Sequence, residues 1–78
     1  MPFTKDQAKA RLPLMLKRVA LSAIDLVMKL DHYSVTSREV ETCIMALEGY
    51  LAHTFKLYMT VVKAEVNEKL MAERMQKG

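Results

Sequence analysis

Disulfides are excluded at the outset, because Cys43 is the only cysteine in 78 residues. A chain this short buries only ~60–65% of the surface its unfolded form exposes. Domains of this size need a staple or a partner to hold them, and here no covalent staple exists. A lone cysteine fits a reducing compartment, so an intracellular, cytoplasmic location is the expectation. Tryptophan is absent, and Phe3, Tyr33, Tyr50, Phe55 and Tyr58 are all the aromatics there are. Two glycines and two prolines leave long turn-free stretches rich in Leu, Ala, Met, Lys and Glu, which favours helix over sheet. Neither glycine has a glycine-rich neighbourhood, so no phosphate loop is present. The most apolar window, Leu12 to Leu30, holds Lys17, Arg18, Asp25 and Lys29. A bilayer core rejects such a segment, and no membrane partner is expected. No signal peptide is expected either: the first apolar run comes after Lys5, Asp6, Lys9 and Arg11 and has no small-residue cleavage site.

What is present begins with charge. The net value is +3, but its distribution is uneven. Residues 1–30 balance to +4, residues 31–52 to −3 and residues 53–78 to +2. A mild basic bias permits nucleic-acid contact without demanding it.

Along the chain, Thr4 with Gln7 three residues on forms a helix-start signal, and Phe3 with Ala8 fits the hydrophobic staple. Pro13 is expected to break or kink the helix, so a first turn or two at 4–11 precedes a main helix over 12–31. That helix carries a heptad seam of Leu12, Leu16, Val19, Ala23, Leu26 and Leu30. A second stripe of Leu14, Leu21, Ile24 and Met28 lies beside it, widened by Met15 and Val27. A helix apolar around most of its circumference is buried on most sides, and one neighbouring helix cannot cover that arc. His32 is placed to close it, near free carbonyls and the dipole's negative end.

Thr36 with Glu39 gives the next capping box, with Val35 and Val40 in the staple positions. From there Val40, Ile44, Leu47, Leu51, Phe55, Tyr58, Val62, Val66 and Leu70 trace one stripe in steps of three or four. Gly49 is the interior breaker, and a bend there is expected. Unbroken, residues 37–76 would span ~60 Å, far more than a compact chain of this length. Glu65 and Lys69, four apart, suit a helix-surface pair.

Chemistry-bearing constellations are thin. On a continuous helix Cys43 and His53 stand ~15 Å apart in height, too far for the hydrogen bond a nucleophile–base dyad needs. Cys43 therefore reads as a small buried residue. His32, His53 and Cys43 lack metal-ligand spacing, and Glu41 with Glu48 reads as a solvated stripe. No catalytic residue, metal or cofactor is expected, and the chain is read as non-enzymatic. Lys5, Lys9, Arg11, Lys17 and Arg18 form a basic set without interleaved aromatics. Arg11, Lys17, Arg18 and Arg38 are the candidate nucleic-acid contacts.

The stretch Leu30-Asp31-His32-Tyr33, continuing into Ser34-Val35-Thr36-Ser37-Arg38-Glu39-Val40-Glu41-Thr42, resembles the end of the central helix, the second loop and the third helix of a core histone. Gly49-Tyr50-Leu51-Ala52 resembles that family's entry to its C-terminal helix. The resemblance implies a corner at Gly49, a DNA-facing position for Ser34, Thr36 and Arg38, and an obligate handshake-like dimer. It lacks the family's basic loop residues before Ser34, and residues 1–11 are too short for its first helix and loop.

Together these features point to an all-α antiparallel hairpin, or a three-helix arrangement over 12–31, 37–48 and 50–76 with 37–76 continuous as the alternative. One domain over 1–78 would build an intermolecular bundle. The expected function is a protein-interaction module that self-associates, most simply as a dimer, and docks on a larger protein as a regulator, inhibitor or structural subunit. The alternative is a small dimeric DNA-binding protein. Leu12, Leu16, Val19, Leu26, Ile44, Leu51, Phe55 and Tyr58 are the expected oligomer interface. Val62, Val66, Leu70, Met71 and Met75 are the expected surface for the outside partner, with Met suited to adaptable contacts.

Overall fold

The computed structural model describes residues 3–77 and consists of two helices, α1 (Lys5–His32) and α2 (Arg38–Lys77), joined by a short turn. They form an antiparallel hairpin, with no third helix and no strand among the described residues. α1 opens as its capping residues dictate. The Gln7 amide donates to Thr4 Oγ1 at 3.2 Å and the Thr4 amide donates to Gln7 Oε1 at 3.1 Å. The Phe3 ring lies beneath the Arg11 guanidinium at 4.6 Å and edge-on to His53 at 6.2 Å.

Pro13 does not break the helix: α1 runs through it without interruption for 28 residues. The proline costs ~3 kcal/mol inside a helix, and the first two turns are held against α2 by other means. Ala8 is fully buried. Lys5 meets Glu68 at 2.8 Å and Glu65 at 3.8 Å, and Lys9 meets Glu65 at 3.3 Å. Glu65 thus turns to Lys5 and Lys9 of α1 and makes no ion pair with Lys69.

The turn is one residue out of step with the expected cap. Tyr33 is extended and returns its amide to the Lys29 carbonyl at 2.8 Å, while the Ser37 amide reaches the Ser34 carbonyl at 3.0 Å. Ser37, not Thr36, caps α2: its Oγ accepts from the Val40 amide at 3.3 Å and its carbonyl from the Glu41 amide at 3.0 Å. Thr36 instead sits with its hydroxyl 3.5 Å from that of Ser34, and Val35 is exposed rather than stapled. Both hydroxyls are competent caps. Starting at Ser37 goes with complete burial of Val40.

α2 is continuous for 40 residues, so neither the bend expected at Gly49 nor the corner implied by the histone resemblance is there. Gly49 adopts no left-handed conformation. Its cost of ~1 kcal/mol is spread over a helix anchored on both sides of it. The molecule is a rod of 64 × 21 × 19 Å with a gyration radius of 18.2 Å, where a compact chain of this length has ~11.5 Å.

The seam between the helices differs from the stripes of largest side chains. On α1 the least exposed positions step as Ala8, Leu12, Met15, Val19, Ser22, Leu26 and Lys29. On α2 they step as Val40, Cys43, Leu47, Tyr50, Thr54, Leu57, Val61 and Ala64. Both runs alternate by three and four, the antiparallel coiled-coil register. Leu12, Val19, Leu26, Val40 and Leu47 are shared with the expected stripes. Leu16, Leu30, Ile44, Leu51, Phe55 and Tyr58 are not; they remain exposed. Many seam residues are small, and helices approach closely where contact side chains are small.

Candidate interaction face

The two flanks of the seam differ in kind. A step of seven residues is nearly two helical turns and returns to the same face. On one flank α1 presents Arg11, Arg18, Asp25 and His32, and α2 presents Glu39, Ala46, His53 and Thr60. These stripes adjoin. Arg18, Leu21, Ser22, Asp25, Ala46 and Tyr50 line one shallow hollow, and Arg11, Leu14, Met15, Arg18 and His53 line a second, so the exposed Leu14 and Leu21 edge this otherwise polar flank. On this side the half-buried Cys43 donates its S–H to Asp25 Oδ2 at 3.3 Å. Burial, then the hydrogen bond to Asp25 and its charge, hold the Cys43 thiol above its ordinary pKa. A thiol so held is a poor nucleophile.

On the other flank α1 presents Lys9, Leu16, Ala23 and Leu30, and α2 presents Ile44, Leu51, Tyr58 and Glu65. The 3.3 Å contact of Lys9 with Glu65 shows that these stripes run side by side. Phe55 and Val62 extend the surface outward on α2. Beyond the Lys9–Glu65 pair, Lys5 closes the end of the face. Its ammonium is held above its ordinary pKa chiefly by the hydrogen bond to Glu68 and then by the charges of Glu68 and Glu65, against some desolvation.

Of the expected interface residues, Leu12, Val19 and Leu26 therefore lie in the intramolecular seam, where each is half-buried. Leu16, Ile44, Leu51, Phe55 and Tyr58 are on the free flank, with Leu51 49% and Phe55 62% exposed. The expected partner-binding residues form no single group. Val62 is half-buried beside the free flank, Val66 lies on the outer side of α2, and Leu70, Met71 and Met75 are exposed on the end of α2. α1 reaches further than expected, to the level of Glu68, so the uncovered end of α2 begins there rather than at Phe55. Among the basic candidates, Arg11 and Arg18 share a hollow, Lys17 turns ~100° away from Arg18, and Arg38 lies at the opposite end with Lys29 and Glu39. They do not converge.

Sequence reasoning missed Leu57, one of three buried hydrophobic residues among those described, along with Ala8 and Val40. Its signal is the run Cys43, Tyr50, Leu57, Ala64 at steps of seven, which is hidden by larger neighbours.

The surface as a whole is oversized. A compact monomer of 8.9 kDa exposes ~4,800 Å²; this chain exposes 6503 Å². The excess is ~1,700 Å², and large apolar side chains are prominent on that surface, from Leu14 and Leu21 on α1 to Met75. Among the described residues no helix is long and apolar enough to cross a membrane, and no three His, Cys, Asp or Glu side chains converge as a metal site. No family model, curated protein or solved structure matches the chain.

Proposed function

We propose that this chain is a non-enzymatic protein-interaction module that self-associates and docks on a larger protein as a regulator, inhibitor or structural subunit. The observation that carries this reading is the inversion of burial. The seam holds many small or polar side chains, while Leu16, Leu30, Ile44, Leu51, Phe55 and Tyr58 face outward. Covering one such side chain is worth ~1.5–3 kcal/mol, so a handful drives association once the entropy of joining two chains is offset. A contiguous apolar face on a small protein marks an interaction site. The exposed end of α2, with Leu70, Met71 and Met75, is the surface for the outside partner, because methionine adapts to varied contacts.

The test is the molar mass in solution. Multi-angle light scattering across a concentration series should give an oligomer, and Leu51→Asp should reduce it to a folded or partly unfolded monomer. A wild-type chain that is monomeric and fully helical at every concentration would remove the reading.

A further inference from the structure

The polar flank holds a furrow that neither the self-association flank nor the end of α2 uses. Its two hollows meet at Arg18, which lines both. On α1 the furrow runs from Arg11 to Asp25, or ~21 Å of helix. Ala46, Tyr50 and His53 supply the wall from α2.

Charge is sorted along this furrow. Arg11 and Arg18 hold one end, and Asp25 holds the other, where its carboxylate accepts from Cys43 at 3.3 Å. Among the described residues, every ion pair joins Lys5 or Lys9 to Glu65 or Glu68. Those two glutamates are thus committed to the opposite flank, and neither arginine has a carboxylate partner among the described residues. Outward on α2, Lys56 and Lys63 flank Thr60 and add two cations to the same end. Arg11 is also held in place. Its guanidinium lies 4.6 Å from the centre of the Phe3 ring, which in turn stands edge-on to His53. A guanidinium stacked on a ring still offers its in-plane N–H donors to a carboxylate. The His53 imidazole adds at least one N–H donor in either charge state. Between the two arginines the surface is apolar, with the half-buried Met15 beside Leu14, and Leu21 just beyond.

We propose that this furrow docks an acidic amphipathic helix of another protein, about four turns long. Its carboxylates gather over Arg11 and Arg18, and its apolar stripe lies on Leu14, Met15 and Leu21. This site lies apart from the surfaces named above, and it stands whether or not the chain pairs with itself. Helix-in-groove recognition uses apolar anchors at helical spacing, and the exposed leucines supply their counterpart. Charge complementarity decides the rest. A neutral helix leaves both guanidinium groups unanswered, and a basic one is repelled by them. The Asp25 end calls for a neutral or basic residue instead. Duplex DNA suits the furrow less well. It rewards cations along the whole contact, whereas here exposed leucines line the middle and Asp25 closes the far end.

The test is a selection on the immobilised full-length chain from two displayed peptide libraries. Both fix apolar residues at helical spacing over about four turns. One sets Asp and Glu beside them, and the other sets Gln and Lys. The acidic library should enrich, and added salt should weaken its binders. Arg11→Gln/Arg18→Gln should lower their affinity at least ~10-fold, with the helical circular dichroism of the chain unchanged. Lys17→Gln/Lys69→Gln removes the same net charge elsewhere and should change the affinity little. Equal enrichment of both libraries overturns the proposal, as does enrichment of neither or binding indifferent to the two arginines. A duplex DNA probe bound through these arginines more tightly than any acidic peptide also overturns it, and gives the surface to nucleic acid. Leu51→Asp should leave peptide binding intact. A chain that light scattering finds monomeric therefore removes self-association and leaves the furrow standing, while loss of peptide binding alone does the reverse.

Discussion

The two flanks of the hairpin share one heptad spacing and differ in what they carry. One flank presents Arg11, Arg18, Asp25, His32, Glu39 and His53 beside shallow hollows. The other presents Leu16, Ala23, Leu30, Ile44, Leu51 and Tyr58 with an ion cluster at one end. The first is mainly charged and polar, with Leu14 and Leu21 at its edge. The second leaves large apolar side chains 44–54% exposed, although the seam between the helices holds only alanine, serine, cysteine or threonine at several of its positions. The seam keeps Leu12, Val19, Leu26, Val40, Leu47 and Leu57 from water, yet a second apolar surface of comparable make-up is left uncovered. If a second chain covers that surface as proposed, stability and binding become one property.

Charge substitutions separate the flanks most forcefully. Leu51→Asp places an unpaired carboxylate on the apolar flank, where burial without a partner costs ~3–5 kcal/mol. The dimer dissociation constant should rise at least ~100-fold, read by sedimentation velocity. Ala46→Asp introduces the same charge on the polar flank and should leave the constant unchanged. Equal effects of the two substitutions would erase the distinction between the flanks.

The seam comes next. Leu57 is 1% exposed, and Leu57→Ala should cost ~2–5 kcal/mol in chemical denaturation. Leu14→Ala, at an exposed position of α1, should cost far less. A smaller expected effect runs the other way. A Cβ at Gly49 meets nothing within 4 Å, so Gly49→Ala should stabilise the chain by ~1 kcal/mol without altering its molar mass.

The titrating groups carry the weakest effects. Cys43 should be alkylated more slowly in the folded chain than after denaturation at pH ~8, close to the ordinary thiol pKa, and Asp25→Asn should speed the folded reaction by removing the acceptor and its charge. Lys5 works in the opposite direction. Its raised pKa means that its contribution is fully present below pH ~10 and is lost as pH rises through the raised value. Because the pairs with Glu65 and Glu68 are exposed to solvent, salt should weaken them. Thermal melts of Lys5→Met against wild type at pH ~8 and pH ~11, on either side of the ordinary lysine pKa, should converge at the higher value.

Much of the hairpin is legible in the residues. The Thr4–Gln7 capping box, His32 in the last turn of α1 and the all-helical character are written in local chemistry, and the structure carries them; the turn, expected over 32–36, falls one residue later, over 33–37. Three local signals mislead because their surroundings outweigh local propensity. Pro13 is overridden by the anchoring of Ala8, Lys5 and Lys9 on α2, Gly49 by the length of helix on either side of it, and the Thr36 cap by the burial of Val40 one step later. The seam is only half legible for a different reason. On a helix apolar nearly all round, the stripe of largest residues stands out, yet the hairpin closes on a neighbouring stripe of smaller ones. Leu57 escapes notice on that account, while Leu51, Phe55 and Tyr58, on the stripe of larger residues, lie free on the surface.

If a second chain covers the free apolar flank, the mass of the wild-type protein in solution must show it. Light scattering from about 1 to 100 μM brackets ordinary homodimer affinities. A mass of twice the 8.9 kDa chain is expected across most of that range. A mass of one chain throughout, with helicity undiminished, would contradict it.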